Sequence, residues 1–210
     1  MKNFLAVDTS CNYLTVTVGK DGRCHSVSVP DCAMQHARTL MKAIDEALHA
    51  VDLRPQDCDF FAAVVGAGSF TGIRIAISAM KGFALACNKP TLSVTSFDVA
   101  AYNALDVSDQ GKRLCLVDAL HDCYYACGYD GDKIIYPPAY LTEEEVLALT
   151  EEGYRLCACT PLAVGEKAAL ELFDPVKGLE NAVVALSQKQ DFCELTALYV
   201  RKSSAELNKA

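Results

Sequence analysis

No cluster of lysine and arginine stands anywhere in the 210 residues, and the net charge is −8. A protein that grips nucleic acid alone carries a basic patch to neutralise phosphates. Here Lys81, Lys89, Lys112 and Lys133 are scattered, so any RNA is expected to be held by another subunit. No run approaches the roughly 18 uninterrupted apolar residues of a membrane span. In the opening MKNFLAVDTSCN, Asp8 breaks a short apolar run and no small-residue cleavage pattern follows. It reads as a first strand, not a signal peptide, and a cytoplasmic chain is expected. No C-x-x-C occurs among the 11 cysteines, and His25, His36, His49 and His121 do not cluster with them. That argues against structural zinc and for reduced, buried thiols. There is no H-E-x-x-H, and His121-Asp122 has no nucleophile to pair with, so a peptidase has no support.

What is present is a core and an alternation. Hydrophobic residues make up 51% of the chain, which argues against disorder. Residues 4–8 read as a strand, and 14–18 and 24–29 as a hairpin about Lys20-Asp21-Gly22. Ala33, Ala37, Leu40, Ile44, Leu48 and Val51 recur at helical spacing, so a helix is expected from Pro30-Asp31 onward, with His36 on its polar side. Residues 60–65 form a continuous apolar run, like a strand buried on both faces of a parallel sheet. A helix is expected over 73–87, ended by Asn88-Lys89-Pro90, then a strand over 91–94 and a short helix over 97–105. The polar stretch 106–112 marks a boundary between an N-terminal α/β lobe, 1–105, and a second lobe, 106–210.

The second lobe partly repeats the grammar of the first. A strand over 114–118 is followed by a hairpin of 123–129 and 133–136. Thr142-Glu143-Glu144-Glu145 is a capping box opening a helix. Residues 155–159 read as a strand, 165–173 and 179–186 as helical, and 195–201 as strand-like, packing back on the first lobe. The repeat predicts a duplicated α/β architecture.

Between strand and helix in the first lobe lies Gly66-Ala67-Gly68-Ser69-Phe70-Thr71-Gly72. It is neither a Walker loop nor the dinucleotide fingerprint, whose third glycine would fall one position earlier. Glycines permit positive φ and close backbone approach, and the helix behind them aims its amides and dipole at whatever lies above. Gly66, Gly68, Ser69, Thr71 and Gly72, with Asp8, Thr9 and Ser10 after the first strand, therefore make a candidate phosphate turn. The plain alternative is a tight turn in which Asp8 or Ser10 satisfies nearby amides.

The stretches FLAVDTSCNYLTVTVGKDG, VVGAGSFTGIRIAISAMKGFALACNKPTLSVTSFD, LVDALHDCYYA and LYVR resemble the TsaB (YeaZ) family of bacterial tRNA threonylcarbamoyladenosine biosynthesis proteins, with GSFTGIR the most specific part. The resemblance implies an actin-like, Hsp70-like ATPase (ribonuclease H-like) α/β fold of two related lobes. It implies a scaffold role beside a larger catalytic paralogue, TsaD, joined by a small ATPase, TsaE. Together these place a threonylcarbamoyl group on adenosine 37, next to the anticodon of tRNAs reading ANN codons.

The catalytic relative carries a His-x-x-x-His metal motif where this chain has Ser96 and Ala100. It also carries an acidic pair where this chain has Asn12-Tyr13. The resemblance thus implies no catalytic residue and no metal here, no cofactor in the isolated chain, and ATP only at the complex. The glycine turn is then an inherited shape that seats a helix.

Gly72, Ala76, Ala79, Phe83 and Ala86 are read as one small-residue face of that helix. The resemblance implies that this helix and the preceding one, over about 32–51, dock on the matching pair of the partner, and in isolation can pair with themselves, which leaves monomer and homodimer both open. His36, Arg38, Met41, Arg74, Ala76, Met80 and Phe83 are expected near that contact. Ala67, His36-Ala37-Arg38 and Leu120 depart from the family's usual residues, the last two by changes of charge. The competing reading is an independent ATP-dependent phosphotransferase of the same superfamily.

Overall fold

In this computed structural model, which describes residues 2–103, 111–165 and 168–201, the opening alternation pairs as a meander. β1 (Phe4–Asp8) lies antiparallel to β2 (Leu14–Lys20), and β2 to β3 (Arg23–Val29). The left-handed Asp21 and Gly22 close that hairpin, as a two-residue turn requires. The apolar run forms β4 (Phe60–Val64), parallel to β1, and β5 (Thr91–Val94) lies parallel to β4. The sheet order is β3-β2-β1-β4-β5.

The second sheet repeats this topology strand for strand. β6 (Lys112–Asp118), β7 (Cys123–Asp130) and β8 (Lys133–Thr142) form the meander. β9 (Arg155–Ala158) and β10 (Leu170–Leu172) add in parallel, giving the order β10-β9-β6-β7-β8. Two copies of one mixed sheet are the two related α/β lobes of the ribonuclease H-like, actin-like fold. The boundary expected at 105/106 lies outside the described residues.

Among the described residues five α-helices complete the layers. α1 (His36–Ala50) and α2 (Phe70–Cys87) cover the outer face of the first sheet, and α4 (Glu143–Glu151) the outer face of the second. α3 (Ser96–Asn103) and α5 (Pro175–Lys189) share the central core with the inner faces of both sheets. Their backbones touch: a Cβ on Gly178 of α5 would lie 2.1 Å from the Val99 carbonyl of α3. Phe4, Phe60 and Phe97 are fully buried there, each stabilising by about 1.5–3 kcal/mol. Lys189 of α5 reaches Asp132 in the β7–β8 turn at 2.8 Å and Tyr102 of α3 at 3.1 Å. The expected capping box is present, with Thr142 Oγ1 accepting the Glu145 amide and the Glu145 carboxylate accepting the Thr142 amide.

Four expectations are corrected. α1 begins at His36, not at Pro30-Asp31, because Asp31 and Met34 take left-handed φ of 48° and 65° and break any earlier turn. α2 begins at Phe70, three residues early, because Ser69 caps it by accepting the Gly72 amide at 3.2 Å. Of the helix expected over 165–173, residues 166–167 lie outside the described residues, and its later part is the strand β10, whose Leu170 and Leu172 alternate at period two. Residues 195–201 form no regular strand; a single backbone bond, Leu198 N–H to the Val65 carbonyl at 2.7 Å, ties them to the first lobe. α2 itself, 18 residues with mean hydropathy 1.3, is long and apolar enough to cross a membrane by length and composition. Its Gly72, Ile73, Ala76, Met80 and Ala84 are buried in this chain's own core.

Candidate functional site

β1 delivers Asp8, Thr9 and Ser10 beneath a cleft between the lobes, which Ser10 lines. All three are fully buried. Asp8 is spent internally: Oδ1 accepts the Ser10 amide at 2.8 Å and Oδ2 accepts the Tyr13 hydroxyl at 3.0 Å. Burial pushes its carboxyl above the ordinary range, against the pull of those two bonds. Thr9 Oγ1 donates to the Gly72 carbonyl at 2.7 Å, and Ser10 Oγ accepts from Ser96 Oγ at 3.1 Å.

The glycine turn answers to the same loop. Gly68 has φ of 143°, and a Cβ there would lie 2.3 Å from the Ser10 carbonyl. A Cβ on Gly72 would lie 1.9 Å from the Thr9 carbonyl, and one on Gly66, φ 121°, 2.6 Å from the Leu198 carbonyl. Three amides of the stretch are likewise committed: Ser69 N–H to the Ser10 carbonyl, Gly72 N–H to Ser69 Oγ, and Ile73 N–H to the Ser69 carbonyl. These glycines let a helix press against a loop. Thr71 points away from the turn, exposed on the far side of α2.

The cleft above has a volume of about 660 Å³ and is walled by Ser10, Cys11, Phe70, Asp118, Tyr125 and Arg201 among others. Its β6–β7 rim runs through three consecutive left-handed residues, Leu120, His121 and Asp122. Asp118 is the acidic side chain at the wall, and its Oδ1 already accepts the Leu120 amide. Burial pushes the Cys11 thiol up to about 12. Among the described residues no three His, Cys, Asp or Glu side chains gather to hold a cation. With Asp8 sealed by Ser10 and Tyr13, Asp118 is the carboxylate that this wall presents to the cleft.

A second concavity lies on the outer face, between α1 and α2. It has a volume of about 520 Å³, and Ala37, Leu40, Met41, Arg74, Ile75 and Ala79 line it. Met41 is 55% exposed beside it, and Met34, just ahead of α1, is 99% exposed. Of the residues expected near a contact, Arg38, Met41 and Arg74 face solvent. His36, Ala76 and Met80 do not. His36 is buried with Nε2 on the Tyr13 carbonyl at 2.9 Å, and Ala76 and Met80 are fully buried against the first sheet. Phe83 is half-buried, stacked on Phe61 of β4 at 5.7 Å.

From α2 the groove is lined by Thr71, Arg74, Ile75, Ser78 and Ala79; of the row that small side chains suggested, Ala79 is among these, whereas Gly72 and Ala76 are buried. The polar Thr71, Arg74 and Ser78 mark that side in the sequence. Arg74 is held by a residue that sequence reasoning left unassigned. Its Nε donates to the Tyr199 hydroxyl at 2.9 Å, and Tyr199 stacks on Phe70 at 4.5 Å.

The family model described as "TsaD: tRNA N6-adenosine threonylcarbamoyltransferase" matches residues 28–202. The tRNA threonylcarbamoyladenosine biosynthesis protein TsaB of Escherichia coli (strain K12) is 26% identical over 129 residues, 61% of this chain and 55% of that protein. Its namesake in Buchnera aphidicola subsp. Schizaphis graminum is 29% identical over 115 residues, 55% of this chain and 54% of that protein. The chain therefore spans about half the length of these curated relatives. YeaZ from Pseudomonas aeruginosa superimposes with a TM-score of 0.78 at 23% identity, covering 95% of this chain and all of that one; that likeness speaks to the fold alone. The matched span of the family model, together with the TsaB relatives, makes this chain a member of the TsaD threonylcarbamoyltransferase family, of the TsaB (YeaZ) type.

Proposed function

We propose that this chain is the non-catalytic subunit of a threonylcarbamoyladenosine-forming complex. It docks a TsaD-type catalytic paralogue through the α1/α2 groove. The observation that carries the reading is the contrast between its two concavities. Beneath the interlobe cleft the buried carboxylate of Asp8 is spent on Ser10 and Tyr13. The groove outside presents apolar surface, with Met41 of its lining 55% exposed, as a contact core does.

In this reading the chain contributes shape. A paralogue of the same fold would offer its own helix pair, and two apolar helix faces bury each other. The chain takes no nucleotide or metal by itself; ATP belongs to the assembled complex, with a TsaE-type small ATPase as a third component. The tRNA, modified at adenosine 37 where it reads ANN codons, is gripped through the other subunits, consistent with the chain's net charge of −8.

The test is reconstitution. Modification of tRNA by the purified catalytic paralogue and ATPase is measured with wild-type chain, with Ala79→Arg, and without the chain. Activity is expected only with wild type, and capture of the paralogue is expected to fall more than about tenfold for Ala79→Arg, which puts a charge into the groove. Full activity without the chain, or unchanged capture by Ala79→Arg, would overturn the reading. Micromolar Mg-ATP binding to the lone chain by calorimetry would instead favour the phosphotransferase.

A further inference from the structure

The chain after α5 runs back across the first lobe as a strap with an anchor at nearly every step. Cys193 N–H bonds to the Thr91 carbonyl at 3.0 Å, and Glu194 pairs with Lys81 of α2 at 2.7 Å. Leu195 is 1% exposed, inserted into the core beneath α1 and α2. Leu198 N–H bonds to the Val65 carbonyl, at the head of the glycine turn. Arg201 then crosses to the other lobe. Its Nη1 donates to the Tyr140 hydroxyl at 2.9 Å, with the guanidinium 4.7 Å above the Tyr140 ring.

Between those anchors stands Tyr199, 40% exposed. Its ring lies nearly parallel to Phe70, at 11° and 4.5 Å. Phe70 is four residues before Arg74, one helical turn, so both side chains share a face of α2. The Arg74 guanidinium sits 6.0 Å from the Phe70 ring and 5.8 Å from the Tyr199 ring, while its Nε donates to the Tyr199 hydroxyl. A long side chain with several rotatable bonds is thereby fixed in one orientation. Phe70 lines the interlobe cleft, and Arg74 lines the α1/α2 groove.

We infer that Tyr199 is a positioning residue of the groove: it holds Arg74 as one wall of the docking surface, so partner affinity depends on a strap that lies outside both docking helices. This rests on the groove being the docking site. The reason is entropic. An arginine ordered before the partner arrives has no rotamer freedom left to lose on binding, whereas a mobile one must be immobilised at that moment. The hydroxyl and the ring act separately, the first by accepting a hydrogen bond and the second by cation–π contact.

The experiment measures affinity of the full chain for the purified TsaD-type paralogue by titration calorimetry, with thermal unfolding of each variant alongside. The variants are Ala79→Arg, Arg74→Ala, Tyr199→Ala, Tyr199→Phe and the double variant Arg74→Ala/Tyr199→Ala. Tyr199→Ala is expected to weaken binding about tenfold, and Tyr199→Phe, which keeps the ring and the fold, about threefold. The double variant is expected to bind no more weakly than Arg74→Ala alone, because Tyr199 acts through Arg74. If Ala79→Arg loses binding while Tyr199→Ala binds like wild type, or if the two single losses multiply in the double variant, the inference fails and the docking surface stands. Unchanged binding by Ala79→Arg removes the docking surface, and the inference with it.

Discussion

Gly72 and Thr9 sit in contact across the seam between α2 and the first strand. Thr9 Oγ1 donates to the Gly72 carbonyl at 2.7 Å, and a Cβ built on Gly72 would stand 1.9 Å from the Thr9 carbonyl. Only a residue without a side chain fits there. Gly72→Ala is therefore expected to destabilise the chain by about 1–3 kcal/mol or more, since backbone, not a flexible side-chain tip, must give way. Gly82, on the same helix, has nothing within 4 Å of its Cβ position. There the same change is expected to stabilise by about 0.5–1 kcal/mol, through helix propensity alone. Urea denaturation of both variants checks the pair; equal effects would refute the packing argument.

Asp8 predicts a pH dependence. Burial raises its carboxyl above 3.8, so the folded chain keeps a proton at pH values where the unfolded chain has lost it. With more protons bound in the native state, stability falls as pH rises from 3.8 through the raised folded value. Asp8→Asn keeps an acceptor for the Ser10 amide, and the Tyr13 hydroxyl can turn to its own partner role without a buried charge. Relative to wild type, this variant should lose that segment of the pH–stability profile and be at least as stable at neutral pH. Asp8→Ala should lose about 1–3 kcal/mol by leaving the Ser10 amide and Tyr13 hydroxyl without their acceptor. Superimposable wild-type and Asp8→Asn profiles would contradict the buried charge.

The strands of the first sheet were legible because their signals are local. A period of two, a left-handed turn at Asp21-Gly22 and a solid apolar run at β4 each encode a strand without reference to the rest of the chain. What was not legible depends on contacts across the fold. α2 has small residues on more than one face, so size alone did not say that Ala76 and Met80 turn inward while Ile75 and Ala79 turn outward. His36 reads as polar in any helical projection, yet it is buried because the Tyr13 carbonyl, 23 positions away, accepts its ring nitrogen. Tyr199 carries no periodic signal at all, since an irregular strap has none. Its partnership with Arg74 spans 125 positions. The glycine turn shows the same division. Its sequence permits either an anion cradle or a close packing seam, and the Thr9 and Ser10 carbonyls that press on Gly72 and Gly68 come from a loop some sixty positions away that no local signal announces.

The cysteines should react in order of burial. Cys115 and Cys157 face each other on adjacent strands, Sγ to Sγ at 3.4 Å, both fully buried. Burial also pushes the Cys127 thiol up to about 12. Cys193 is exposed. Because the thiolate is the reactive species, native-state alkylation near pH 8 followed by peptide mass mapping should label Cys193 first. Cys115, Cys127 and Cys157 should be modified only at the rate of global unfolding. Rapid labelling of Cys157 in the native chain would show that the second sheet opens locally.

The strap's hold on the first lobe should come from one side chain rather than from its charges. Leu195 is 1% exposed and packs among the core residues beneath α1 and α2. Leu195→Ala is expected to cost about 2–5 kcal/mol, the transfer of the lost methyl groups plus the cavity left behind. Glu194, the neighbouring residue, makes a 2.7 Å bridge to Lys81 with its side chain 81% exposed. Its removal is expected to change stability little, and the small change should vanish in high salt because solvent and ions screen an exposed pair. Chemical denaturation of Leu195→Ala and Glu194→Ala at low and high salt separates the two contributions. A salt-independent loss for Glu194→Ala, or a negligible loss for Leu195→Ala, would mean that the strap is fastened by its backbone bonds at Cys193 and Leu198 and that the apolar anchor is incidental.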